Sequence, residues 1–328
     1  MLRLCYVVHR YAPYPGGSEI FVQAMAEESY SRGHNVTVFT HTHKGHLNGI
    51  RVSSDHNILL EQYDLIIVHG GNCNSQDLVH LNAHQIPSPI LYMLILPSES
   101  YTCMQGLKNC KYIGCSSEND WDHVKKHNVI EKAVRVRHSV SLSKSIGDNL
   151  VFKKKYNIPD DTRIILSCGG FWAHKGMLEL ASIFEKCSLL DNILLVLTGY
   201  NNDPQYIPSQ TNRVKSLILE DKNDVTHAMA AMDMYVMNST EEGFGLVLIE
   251  AMLNKKPWIS RNIAGAKVLK DYGITYDTPE ELKSLIENLD ETISKIDINK
   301  NYTFAINNHL TEHTVNDIES ILKINTTE

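Results

Sequence analysis

Short apolar runs of strand length alternate along the chain with longer segments whose apolar residues recur every three or four positions, the pattern of parallel strands joined by crossover helices. The first strand is predicted over residues 2–8. A helix follows from about Ser18, placed as its N-cap, with Ile20, Phe21, Ala24 and Met25 on one face and Gly33 just past its end. Five more strands are predicted over 35–40, 63–69, 89–96, 111–115 and 133–136, with helices at about 77–84 and 117–127. One open parallel sheet is the simplest assembly of these elements.

The alternation weakens over 139–155, a polar stretch with Ser141, Ser143, Ser145 and Gly147, and restarts with a strand over 162–168. It then repeats: strands over 193–198, 234–237 and 257–260, helices over about 225–232 and 245–254. A chain of 328 residues with 43% hydrophobic content is long enough for two cores. The expectation is therefore an α/β protein of two Rossmann-like domains, residues 1–145 and 146–328, with parallel sheets facing across a cleft. A single terminal helix is expected at about 306–324, free to pack back on the N-terminal domain.

Charge narrows the class of partner. Charged residues make up 21% and the net charge is −7, so nothing here neutralises a polyanion and nucleic acid is not an expected partner. The clusters Lys125-Lys126 and Lys153-Lys154-Lys155 read as solvated faces, with peripheral membrane contact left open. The opening apolar run is broken at once by His9 and Arg10, and no segment reaches the roughly 18 apolar residues of a membrane span. A soluble, cytoplasmic protein is expected. The seven cysteines are odd in number and lack paired spacing, which points to reduced core thiols.

The segment from Asn238 to Met252, NSTEEGFGLVLIEAM, sits where a predicted strand ends and a helix begins. In an open parallel sheet that edge binds ligands, and glycines there let backbone amides approach an anion or a sugar hydroxyl. Glu242 falls in the loop and Glu250 about two turns into the helix. Carboxylates so placed can accept paired hydrogen bonds from the vicinal diols of a hexose or a ribose. Residues 169–176, GGFWAHKG, also follow a strand and open a helix, which lets Lys175 lean over the same crevice towards a diphosphate. In the N-terminal half, Gly16 and Gly17 occupy the equivalent strand-to-helix turn.

These residues resemble glycosyltransferase family 4, retaining enzymes of the GT-B class whose acidic motif has two Glu separated by seven residues, with Gly-Phe-Gly after the first. Glu242 and Glu250 match that motif without a gap. The resemblance implies that Glu242 faces the transferred sugar, that the amides of Gly243, Phe244, Gly245 and Leu246 reach sugar and phosphate oxygens, and that Glu250 holds the ribose. It implies that Lys175 and the Gly16-Gly17 amides meet the donor phosphates, and that no metal or other cofactor is needed. The chain departs from the pattern at Gly170, where the family carries an Arg, and at residues 95–99, where many relatives carry a His.

The resulting expectation is a glycosyltransferase acting between a nucleotide sugar and a glycan, lipid or other hydroxyl acceptor. Two alternatives stay open, a nucleotide-sugar-binding protein with little transfer and a GT-B epimerase. His69 and Glu99 are further candidates for the cleft. The alternating His41, His43 and His46 raise a metal site, but no carboxylate or Cys stands nearby to complete it.

Overall fold

The strands of the first half are buried runs flanked by helices. In the computed structural model, which describes residues 1–14, 16–69, 79, 82–95, 99–188, 192–200, 203–219 and 223–324, the chain begins with β1 (Arg3–Val7), α1 (Gly17–Ser31), β2 (Asn35–Phe39), β3 (Gly45–Leu47), β4 (Ile50–Ser53), β5 (Leu65–His69) and β6 (Ile90–Met93). It continues with α2 (Tyr101–Asn109), β7 (Tyr112–Cys115), α3 (Glu118–Lys126) and β8 (Ala133–Arg135). Among the described residues these strands form an eight-stranded sheet in the order β3-β4-β2-β1-β5-β6-β7-β8. Every pairing is parallel except β3 with β4. All five residues of β5 are buried, as a parallel strand covered on both faces requires.

Two features depart from the sequence reading. The helix begins at Gly17 with Gly16 as N-cap, two residues before the expected Ser18, and it encloses Glu19 in its first turn. Residues 45–53 form an antiparallel edge hairpin whose turn residues, Asn48 and Gly49, have φ of 51° and 83°, the signature of a tight Asn-Gly turn. The helix expected at 77–84 lies largely outside the described residues.

The second half adds α4 (Asn149–Lys155), β9 (Arg163–Cys168), α5 (Met177–Glu185), β10 (Ile193–Gly199), β11 (Val214–Ile218), α6 (Asn223–Ala231), β12 (Met234–Met237) and α7 (Leu246–Leu253). After these come β13 (Trp258–Arg261), α8 (Ala264–Lys267), β14 (Ile274–Tyr276), α9 (Pro279–Glu287), α10 (Leu289–Ser294), α11 (Ile298–Asn308) and α12 (Thr311–Ile324). Its sheet runs β11-β10-β9-β12-β13-β14, all parallel. The edge strands β11 and β14 were not among the expected elements. The core packs Phe171, Leu180 and Phe184 against Leu195, Val236 and Ile259.

The chain divides into two compact units, Met1–Ser141 with His309–Glu328, and Leu142–Asn308. The expected terminal helix is two helices, interrupted at His309 and Leu310. There Val140 donates to the His309 carbonyl at 2.9 Å and accepts from the Thr311 amide at 3.1 Å, a pairing that a continuous helix would not allow. Within the first unit α12 packs on α1, where Arg32 donates to Asn316 at 2.7 Å and His34 meets Glu319 at 2.9 Å. Among the described residues no helix is long and apolar enough to cross a membrane. Six of the seven cysteines are described, all buried and none in a disulfide; Cys73 lies outside the described residues.

Candidate functional site

A doubly wound sheet opens a crevice at the carboxyl ends of its strands where the strand order reverses. In the second unit that point falls between β9 and β12, and the loops leaving these two strands are residues 169–176 and 238–245. They hold the segments singled out in the sequence.

The two loops are fastened together by backbone and side chain. The Thr240 amide donates to the His174 carbonyl at 2.8 Å, and Asn238 Nδ2 donates to the Gly176 carbonyl at 2.8 Å. Gly176 has φ of 63°, and a Cβ there would lie 2.4 Å from the Asn238 carbonyl oxygen, so only glycine fits. A Cβ built on Gly169 would lie 3.5 Å from Lys175 Cε, which places the lysine stem across that glycine.

Lys175 Nζ lies 2.5 Å from Glu242 Oε1, and Ser239 Oγ donates to the same oxygen at 2.8 Å. The two side chains are 21% and 18% exposed, so the pair is shielded but reachable. The Glu250 carboxylate, on α7, has neither a hydrogen-bond nor an ion-pair partner among the described residues, and burial pushes its carboxyl up to about 7. The Cys168 thiol at the end of β9 is pushed up to about 12 by burial, then by the charge of Glu250. Lys175 and Glu242 act on that thiol as well, so all three charged groups gather at one strand end. Gly245 starts α7 with φ of 78° and no side-chain cap, which leaves the helix terminus to backbone amides.

A supporting network escaped the sequence reading. Asn238 Oδ1 accepts from Arg261 Nη2 at 3.0 Å and from the Tyr276 hydroxyl at 2.6 Å, and Arg261 is also paired with Glu179 of α5. These contacts tie the start of α5 to the ends of β12, β13 and β14. Gly265, in the first turn of α8, lies so close to the Gly-Phe-Gly turn that a Cβ would stand 2.9 Å from the Phe244 carbonyl carbon. Ser260-Arg261 at the end of a strand and Ala264-Gly265 at the start of a helix were the available signals.

Residues 148–302, which include Lys175, Glu242 and Glu250, match the family model described as glycosyl transferases group 1. Over 135 residues the chain is 27% identical to N-acetyl-alpha-D-glucosaminyl L-malate synthase of Bacillus anthracis, a match spanning 39% of this chain and 35% of that relative. Across its whole length it superposes on sucrose-phosphate synthase from Thermosynechococcus elongatus with a TM-score of 0.78 at 16% identity, covering all of both chains. HepE from Anabaena in complex with UDP-glucose gives a TM-score of 0.78 at 17% identity, over 98% of this chain and all of that one. The fold is GT-B.

The first GT-B unit reverses strand order between β1 and β5, and Gly16 and Gly17 stand at the start of α1, the helix that follows β1. A Cβ on Gly17 would meet open space, whereas one on Gly16 would lie 2.1 Å from a Glu19 carboxylate oxygen. Glu19 is buried and ion-paired with Arg10 at 3.2 Å, so a carboxylate already stands beside the first of the two glycines. His69 is buried with its ring 5.7 Å from that of Phe21. Glu99 is exposed and paired with Lys126 and His127. The His41 ring packs among those of Phe39, His56 and His9 at 5.5, 5.8 and 6.2 Å, and His41, His43 and His46 form no metal-type cluster among the described residues.

Proposed function

We propose that this chain is a retaining glycosyltransferase that moves a sugar from a nucleoside-diphosphate donor to a hydroxyl of a glycan, lipid or other acceptor. The observation that carries the proposal is the Lys175–Glu242 pair beside the unpartnered Glu250 at one strand end of the second unit. A cation for a diphosphate and two carboxylates for sugar and ribose hydroxyls are the groups a nucleotide sugar needs. The UDP-glucose in the HepE structure supports a donor of that class.

In the reaction the bond between the anomeric carbon and the diphosphate oxygen breaks, and its electron pair leaves with the phosphate. Stabilising that developing charge is the main task of the protein. Lys175 exchanges Glu242 for the diphosphate, and the freed Glu242 accepts from hydroxyls of the sugar. The amides at Gly243 to Leu246 and the start of α7 add positive potential without a metal ion. The acceptor oxygen bonds to the anomeric carbon on the face the phosphate leaves, and the departing phosphate takes the acceptor proton.

Incubating the purified protein with a panel of labelled nucleotide sugars tests the proposal. Slow hydrolysis of one donor, accelerated by acceptor, is the expected result. Binding without turnover favours the second reading, a nucleotide-sugar-binding protein, which the internal neutralisation of Lys175 by Glu242 supports. An isomerised sugar would identify an epimerase.

A further inference from the structure

The first unit holds a second convergence of ligand-type side chains, outside the sites described above. The helix α3 is fixed at its start by the Ser117–Asp120 capping box and carries His123 and, at its C-cap, His127, four residues apart and so on one face. Their ring centroids are 4.6 Å apart. Glu99, just before α2, brings its Oε1 to 3.1 Å from His127 Nε2. The ligand atoms of these three residues all lie within 4.8 Å of one another. From the buried side Cys103, in the first turn of α2, places Sγ 3.8 Å from His123 Nε2.

Two of these separations match a tetrahedral zinc sphere. Bonds of about 2.0–2.1 Å to nitrogen and oxygen and about 2.3 Å to sulfur put tetrahedral N and O ligands roughly 3.3 Å apart and N and S ligands roughly 3.6 Å apart. The His127–Glu99 and Cys103–His123 pairs are each within a few tenths of an ångström of those values. Lys126 now sits 2.5 Å from the Glu99 carboxylate, but it is 64% exposed and can swing into water when a dication takes over its role.

We infer that Glu99, His123 and His127 bind one divalent cation of the zinc class, with the Cys103 side chain moving in from beside His123 as fourth ligand, and so fasten α2 to α3. Thiolate, imidazole and carboxylate together suit zinc better than the hard cations magnesium and calcium. The full chain, stripped with EDTA and dialysed, is titrated with Zn²⁺ by calorimetry and with Co²⁺ by absorbance.

One equivalent is expected to bind and to raise the melting temperature, and the cobalt form should show tetrahedral d–d bands with a thiolate charge-transfer band. His123→Ala and His127→Ala should each weaken Zn²⁺ binding more than about 100-fold, since outer-shell partners alone are worth 10–100-fold. Cys103→Ser should remove the charge-transfer band. The wild-type titrations need no variant to fold, and the metal-free melting temperature of each variant checks its integrity. Absence of stoichiometric binding, a cobalt spectrum without the thiolate band, or unweakened affinity in a folded His123→Ala/His127→Ala double variant would overturn the inference.

Discussion

The ammonium of Lys175 rests 2.5 Å from the carboxylate of Glu242, so the cation and the anion proposed to serve the donor satisfy each other. A free nucleoside diphosphate has to compete with Glu242 for that lysine. Glu242→Gln removes the competitor and a negative charge together. It should bind the free diphosphate about tenfold tighter, roughly the worth of one charged hydrogen bond, while losing turnover because the sugar loses its carboxylate. Calorimetry and a rate assay on one preparation check both halves; weaker diphosphate binding in the variant would show that Lys175 does not meet the phosphate.

Glu250 links stability and binding with opposite signs. Its folded carboxyl is raised to about 7 by burial, against an ordinary value of 4.5, so the folded state favours the protonated form. The stability associated with that proton is fully present below pH 4.5 and is lost as pH rises through 7. Glu250→Gln should therefore be more stable than the parent above pH 7, by up to about 3 kcal/mol, with the gap closing below pH 4.5. Donor affinity should move the other way. A ribose diol needs the ionised acceptor, so nucleotide-sugar binding should tighten as pH rises through about 7 in the parent and stay flat in the variant. Denaturant melts and titrations at pH 5, 7 and 8.5 test the pair.

Much of this was legible in the residues because buried parallel strands leave continuous apolar runs, and Gly-Phe-Gly between two acids marks a strand-to-helix loop. The rest depended on contacts distant in sequence. Lys175 and Glu242 are 67 residues apart, and nothing local to either announces that they pair. The Asn48-Gly49 hairpin was hidden among histidines that drew attention to metal binding. The break at His309 answers to Val140, far earlier in the chain. Glu99, Cys103, His123 and His127 come from two helices and the segment before one of them, so only folding shows their convergence.

Metal independence of the transfer step is a separate expectation, since Lys175, the start of α7 and the loop amides answer the phosphate charge. Protein freed of divalent ions and assayed with and without Mg²⁺ or Mn²⁺ should turn over at the same rate. A strict requirement, restored by adding the ion back, would mean that the leaving group is neutralised by other means.

Gly17 and Gly176 should respond differently to alanine. Gly176→Ala forces φ of 63° on an L residue and drives Cβ to 2.4 Å from the Asn238 carbonyl. A loss of about 1–2 kcal/mol for the left-handed backbone, plus the cost of moving that carbonyl, is expected. Gly17→Ala meets open space, so stability should shift by less than about 0.5 kcal/mol. Chemical denaturation of both variants checks the difference.

The most direct test of the donor site is turnover of the true nucleotide sugar by Lys175→Ala. Deleting one preorganised electrostatic stabiliser costs about 10²–10³-fold, and a loss of that size is expected here, with binding of the nucleoside monophosphate changed far less. Gly170→Arg, five residues before Lys175, gives the complementary gain-of-charge variant. If the folded Lys175→Ala protein turns over its donor at a near-normal rate, the lysine does not carry the leaving group, and the site assigned to Lys175, Glu242 and Glu250 is contradicted.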